Sequence, residues 1–422
     1  MIRIFTARYL LPINSSPLED SALLVENDRI LAVDTHRNLT AAHPEAKVVD
    51  FGEAVLLPPM VNAHTHLELS SFPDWSVAAG VPDAPQNFVD WVLWLVGVRR
   101  GVVDAQLRTS LADGLKTSLH SGTGAIGDIA TTLTAASAYL DSPLRGRVFA
   151  EVLGQDPAVV KERLSAIGGY IKSQPGPSLG WGLSPHAPYT LSATAMEQAF
   201  SFADRQGLPC SIHLAESPDE TRFLRDGSGA IAEKLYAAAK WNPLVDSPPG
   251  SSPVSALCRQ GRLRSGDLIV HGVQVDADDI GKIKAVGCSV VLCPRSNAAL
   301  GVGKAPVAAY LKSGVSLALG TDSLASSSSL SIWDEVAFAS KWFAGEAQPG
   351  DWLQMATLGG AKALGLGDRM GCLSPGYEAS FQVVSLSVMP RLCELEEALC
   401  TSAQEVKVQH LYLAGHNALP TT

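Results

Sequence analysis

The 422-residue chain has little of what marks several large classes of protein. It has no apolar run of the roughly 18 residues that a membrane-spanning helix needs, so a membrane span is not expected. It also has no block of lysine and arginine. With 32 basic against 42 acidic residues its formal net charge is −10, which argues against a nucleic-acid or anionic-membrane surface. Seven cysteines, none in a C-x-x-C pair, are too sparse and irregular for a disulfide framework. Cys288 and Cys293 flank an apolar run and read as buried free thiols. Met1 to Leu11 lacks the pattern of a cleaved signal, and the simplest compartment is the cytoplasm. What the chain does have is 46% hydrophobic residues, enough for one large catalytic domain and a smaller companion.

The two ends share a style. Up to Leu57, short β-rich runs alternate with turns: Ile2 to Phe5, Ala22 to Val25, Ile30 to Val33, Lys47 to Asp50 and Ala54 to Leu57, with a hairpin turn at Asn27-Asp28-Arg29. From Gly371 the style returns in Phe381 to Ser385 and Val406 to Leu413. Residues 1–57 and 371–422 are therefore expected to meet in one small β-sandwich domain. The intervening 58–370 alternates apolar runs with Ala-rich helical segments such as Ala193 to Gln206. Strand candidates end near His64, Asp128, Val152, Leu183, His213, His271, Cys293 and Gly320, which makes eight. An α/β chain with eight strand–helix units fits a (β/α)8 TIM-like barrel, whose catalytic groups collect at the C-terminal ends of the strands. Ser247 to Pro253, rich in proline and serine, reads as a loop on the rim.

In Val61-Asn62-Ala63-His64-Thr65-His66-Leu67-Glu68 two histidines close an apolar run. Residues i and i+2 of a strand face the same side, so His64 and His66 can offer two imidazoles to one metal ion. Alone the pair is a weak signal. Downstream, however, His213, His271 and Asp322 each follow a strand candidate. His64, His66 and His213 with the Asp322 carboxylate form a set suited to Zn²⁺ or Fe²⁺ in an open, water-activating site. Glu216, three residues past His213, is placed to exchange a proton with water and a substrate ring nitrogen. His271 is placed to orient the attacking oxygen, and Asp322 to relay a proton to a leaving amine. Glu68 reads equally as a substrate contact or barrel wall. Arg295, Ser296 and Asn297 read as contacts to polar substrate groups, against the alternative of a helix cap. Ser326 to Ser329 reads as a flexible rim without a partner base. His36, His43, His120, His410 and His416 have no second ligand at useful spacing.

These phrases in this order resemble the amidohydrolase superfamily, and within it the deaminase and chlorohydrolase branch. The resemblance covers nearly the whole chain and includes Leu57 to His66, Ser184 to Thr190, His213 to Ser217, Leu292 to Asn297 and Leu319 to Ser323. It implies a single divalent ion, Zn²⁺ before Fe²⁺, held by His64, His66, His213 and Asp322, with Glu216 and His271 handling protons. It also implies a substrate contact at His186. The helix start from Asn87 to Leu95 reads as packing over the barrel mouth, in a region that relatives use to line the pocket; this brings Trp91 toward substrate. Binuclear relatives carry a modified lysine at the fourth strand end, where Val148 to Leu153 offers Glu151 and no lysine, favouring one ion.

The activity implied is hydrolytic deamination of an aminated purine nucleoside or related heterocycle. The H-T-H-L-E-L-S and C-P-R-S-N phrases are most similar to aminodeoxyfutalosine deaminases of menaquinone biosynthesis. Adenosine, S-adenosylhomocysteine and guanine-type deamination stay open, as do amide and halide hydrolysis. A catalytically inactive scaffold is the remote alternative, because every expected ligand and proton carrier is present. The expected partner is a small heterocycle, not nucleic acid or membrane, and a homodimer is left open.

Overall fold

The computed structural model describes residues 1–173, 179–241, 248, 250–401 and 405–419. Eight parallel strands run through the middle of the chain: β1 (Met60–Thr65), β2 (Thr123–Ala130), β3 (Arg145–Val152), β4 (Leu179–Pro185), β5 (Ser211–Leu214), β6 (Leu268–His271), β7 (Ser289–Leu292) and β8 (Ser316–Leu319). All eight coincide with the runs singled out from sequence. β1 and β2 are buried along their whole lengths, which is why they read as unbroken apolar runs rather than alternating ones.

The strands form two four-stranded sheets, β1 to β4 and β5 to β8, each in sequential order. A single parallel bridge, Leu183 to Cys210, joins the end of the first sheet to the start of the second. Another, Thr65 to Asp322, joins β1 to the segment after β8. Asn62 and Thr321 reinforce this second seam: Asn62 Nδ2 donates to Thr321 Oγ1 at 2.8 Å, and Thr321 N donates to Asn62 Oδ1 at 3.1 Å. Gly320 makes the close approach possible, since a Cβ there would stand 2.7 Å from the His64 carbonyl oxygen.

The helices between strands begin where the sequence supplies caps. α1 (Phe88–Arg99) is capped by Asn87, whose side chain accepts from Asp90 N. α2 (Ala193–Gln206) starts at a Ser192 cap and stops at Gly207, whose φ of 63° suits the left-handed turn that ends it. α3 (Pro218–Asp226) pairs a Ser217 cap with a stop at Gly227. α4 (Pro253–Arg259) is capped by Ser252, so the proline-rich stretch ends in a helix start. Ser247 and Pro249 of that stretch lie outside the described residues.

The chain ends build two further sheets. In one, Arg29–Thr35, Ser21–Glu26, Ile2–Thr6 and Lys47–Asp50 lie in that order, and the expected hairpin turn has Asn27 at a φ of 54°. The other has six strands and contains both ends of the chain, with Val383 directly opposite Leu56. Phe5, Leu23, Leu56, Phe381 and Val383 share one apolar cluster between them. Sequence reading missed Tyr9–Leu10, Leu18–Glu19 and His416–Asn417, each two residues long and too short to carry a period.

The strand count corrects one detail. Glu151 lies on β3, the third strand; the fourth ends at Pro185, followed by His186. No lysine stands there either, so the case for one ion is unaffected. Among the described residues, no helix is long and apolar enough to cross a membrane.

Candidate metal and proton-transfer site

His64 and His66 leave β1, His213 sits in β5, His271 ends β6, and Asp322 follows β8. The structure brings all five together. His66 Nε2 and His213 Nε2 are 3.3 Å apart, and Asp322 Oδ1 lies 3.6 Å from His64 Nε2 and 3.5 Å from His66 Nε2. Tetrahedral coordination with bonds of about 2.0–2.2 Å puts ligand atoms roughly 3.3–3.6 Å from one another. The spacing therefore fits a cation. Both ring nitrogens of His64 are buried with no hydrogen-bond partner, an arrangement that leaves a lone pair without employment unless an ion takes it.

Electrostatics keep the His66 and His213 rings neutral. Burial, then the neighbouring His64, pushes the His66 pKa down to about 3. Burial also holds His213 well below the usual histidine range. His213 Nδ1 lies 2.9 Å from the His186 carbonyl oxygen, which takes the ring proton and turns Nε2 toward the cluster as a lone pair. Burial opposes charge on Asp322, yet the neighbouring His64, His66 and His271 rings hold its carboxyl well below the ordinary value. Its Oδ2 accepts from Ser296 Oγ at 2.6 Å and Ser326 Oγ at 2.8 Å. Ser326 is thus a buried anchor for the aspartate, not part of a flexible rim.

The second pair stands beside the first. His271 Nε2 is 3.4 Å from Glu216 Oε1, and His271 Nδ1 is 2.9 Å from Asn297 Oδ1. An amide oxygen can only accept, so Nδ1 carries the proton and Nε2 faces Glu216 and the cavity as an acceptor. Burial lowers the His271 pKa to about 4, while burial followed by the Asp322 charge raises Glu216 well above the carboxylate range. The result is a neutral base against a protonated acid.

Sequence reasoning missed Glu220. Its two oxygens accept from Ala215 N at 3.0 Å and Glu216 N at 2.8 Å, and so fix the turn that presents Glu216. The signal was legible as Ser217-Pro218-Asp219-Glu220, a helix-start box whose serine caps α3. Here the glutamate reaches past the cap to the turn that carries Glu216. That turn is left-handed at Ala215 (φ 54°), as are His271 (φ 73°) and Asp322 (φ 57°). Residues other than glycine seldom adopt this conformation, and its occurrence three times around one cavity marks a functional site.

The cavity over these groups, about 250 Å³, is lined mainly by apolar and aromatic side chains. Trp91 and His186, expected as substrate contacts, line this cavity. Glu68, Arg295 and Asn297, expected as substrate contacts, do not. Glu68 accepts from Thr131 N and Thr132 N, Arg295 faces Glu335, Asp334 and Ser328, and Asn297 orients His271. Each is spent on protein groups because the loop or helix start it serves carries polar atoms that need a partner.

Three comparisons bear on this arrangement. The family described as "Amidohydrolase family" matches residues 55–418. An aminodeoxyfutalosine deaminase from Deinococcus radiodurans is 32% identical over 356 residues, 81% of each chain. A 5-methylthioadenosine/S-adenosylhomocysteine deaminase from Pyrococcus abyssi is 30% identical, over 86% of this chain and 80% of its own. The crystal structure of a zinc-bound adenosine deaminase from Xanthomonas campestris superposes with a TM-score of 0.80 at 25% identity, over 98% of this chain and 92% of its own.

Proposed function

The chain belongs to the amidohydrolase family, and we propose that it is a metal-dependent deaminase that removes ammonia from an aminated purine nucleoside. The observation that carries this is the neutral acid–base pair Glu216–His271 beside the His64, His66, His213 and Asp322 cluster in one buried cavity. Its similarity to deaminases of aminodeoxyfutalosine and of methylthioadenosine supports an adenine ring, with 6-amino-6-deoxyfutalosine as the first substrate to try.

A divalent ion held by the three imidazoles and Asp322, Zn²⁺ by preference, would supply Lewis-acid activation of water. The chain's own groups do the rest. His271 Nε2, unprotonated, accepts a hydrogen bond from the attacking water and aims it. Glu216, kept protonated by burial, donates to the ring nitrogen as the adjacent carbon turns tetrahedral. Asp322 stays ionised and would take a proton bound for ammonia. Trp91 and His186 would meet the base, and the apolar walls would exclude bulk water.

The scaffold belongs to the same proposal. The bridges Leu183–Cys210 and Thr65–Asp322 support reading the two parallel sheets as one closed (β/α)8 barrel of residues 58–370. The shared apolar cluster supports a β-sandwich of residues 1–57 and 371–422. A cytoplasmic location fits the absence of disulfides among the described cysteines. The test is ammonia release from a panel of purine nucleosides by zinc-loaded protein. Release from an adenine nucleoside is expected; release from none of the panel, together with turnover of a triazine chloride or a cyclic amide, would replace the deaminase reading.

A further inference from the structure

Two groups of the site take their orientation from adjacent residues. Ser296 Oγ donates to Asp322 Oδ2 at 2.6 Å, and the next residue, Asn297, accepts the His271 ring proton at 2.9 Å. Both belong to the first turn of a short helix, α5 (Pro294–Ala299), and both are buried. Whatever fixes that turn fixes a proposed ligand and the proposed base together.

The turn has no cap of its own. Cys293, in the capping position, makes no side-chain bond to it, and Pro294 has no N–H to offer. The first free donor is Arg295 N, and its acceptor comes from a different helix, α6 (Ile332–Trp342): Glu335 Oε2, at 3.2 Å. Glu335 is fully buried. Its other oxygen, Oε1, has no hydrogen bond among the described residues. It faces Arg295 Nη1, equally buried and unbonded, at 3.9 Å, with the partly exposed Asp334 at 4.0 Å. Arg295 Nη2 reaches on to Ser328 Oγ, in the loop that also carries Ser326 and its hydroxyl on Asp322 Oδ2. The pair thus ties together the start of α5, the loop after β8 and α6.

Two buried charges 3.9 Å apart with no hydrogen bond between them add little to stability, because losing water from both offsets their attraction. Their placement does more than their energy. We propose that the Arg295–Glu335 pair is a positioning device that sets Asp322 and His271 at once: Glu335 pins the start of α5, and Ser296 and Asn297 hand that placement to the two groups. Neither member of the pair lines the cavity, so each acts through others. The proposal rests on the deaminase reading above for what Asp322 and His271 do.

Removing Glu335 alone would leave the Arg295 charge buried and endanger the fold, so the test replaces both members with apolar side chains, R295M/E335L, a change that buried pairs often tolerate. Thermal denaturation of the zinc-loaded full chain should show a cooperatively folded protein. Zinc affinity, read by competition with a chromophoric chelator, should nevertheless fall about tenfold. On an adenine nucleoside kcat should fall about 10- to 100-fold, with KM changed by less than about twofold. E335Q keeps an oxygen for Arg295 N and should recover most of both losses. Adding N297A to R295M/E335L should cost kcat far less than the product of the separate losses, because both changes reach His271 through one residue. A folded R295M/E335L with unaltered zinc affinity, an E335Q as impaired as the double substitution, or losses that multiply with N297A overturns the inference and leaves the pair as packing. Weakened zinc binding with no ammonia from any form, the unaltered protein included, would sink the deaminase reading alone and leave the pair as the support of Asp322.

Discussion

The two parallel sheets differ in how their strands end. β1 to β4 are six to eight residues long, whereas β5 to β8 have four residues each. In the second sheet the short strands break off into left-handed residues, Ala215, His271 and Asp322, at or beside the candidate ligand and proton-transfer side chains. In the first sheet no described residue other than glycine turns that way. Two acids at this sheet are held by protein groups instead. Asp128 on β2 accepts from Leu67 N at 2.8 Å and from the Tyr139 hydroxyl, and Glu68 after β1 holds the backbone at Thr131 and Thr132. β1 is the exception. As the strand that meets the β8 side, it carries His64 and His66 into the cluster. The difference teaches that similar acids at the same rim take opposite roles according to whether backbone N–H groups are there to claim them.

Substitutions can break that comparison. His213→Ala, on the second sheet, should abolish zinc binding and activity together, a loss of at least about 10³-fold given what a bound ion contributes; metal analysis alongside ammonia release checks it. Glu216→Gln should retain zinc while kcat/KM falls by about 10²- to 10⁴-fold. Should Asp128→Asn reduce kcat/KM as far as Glu216→Gln does, the division between the sheets would be wrong. Asn297→Ala should lower kcat by about tenfold with KM little changed, because His271 loses the acceptor that fixes its tautomer.

The smallest effect belongs to the first sheet and concerns stability. Burial raises the Asp128 pKa from 3.8 to about 7. The folded state therefore keeps its proton where the unfolded chain has lost it, and stability falls as pH rises from about 4 to about 7, then levels. Asp128→Asn cannot ionise. Relative to the unaltered protein, its melting temperature should gain roughly 2–4 °C between pH 5 and pH 8, read by thermal denaturation. A constant gap across that range would mean that Asp128 is charged throughout.

Much of this was legible in the sequence, for physical reasons. Strands buried on both faces advertise themselves as apolar runs, and all eight were visible. The i, i+2 spacing of His64 and His66 and the strand-end positions of His213, His271 and Asp322 follow from strand geometry alone. What stayed hidden was the employment of polar groups between distant segments. Arg295 and Asn297 look like substrate contacts until Glu335 and His271 are seen beside them, 40 and 26 residues away. Ser326 sits in a serine run with no period, so only the fold shows that it grips Asp322. Glu220 is the near miss, announced by its helix-start box but not by the turn it fixes. Two-residue strands in the terminal sheets leave no pattern to read.

The close crossing at Gly320 has one more consequence. A methyl group there would fall 2.9 Å from the His64 Cβ and 3.0 Å from its nitrogen, so alanine would act as a wedge between the first strand and the last. His64 and Asp322, from opposite ends of the run of eight parallel strands, would be prised apart with neither of them altered. The residue with no side chain is as necessary to holding the ion as those that would touch it.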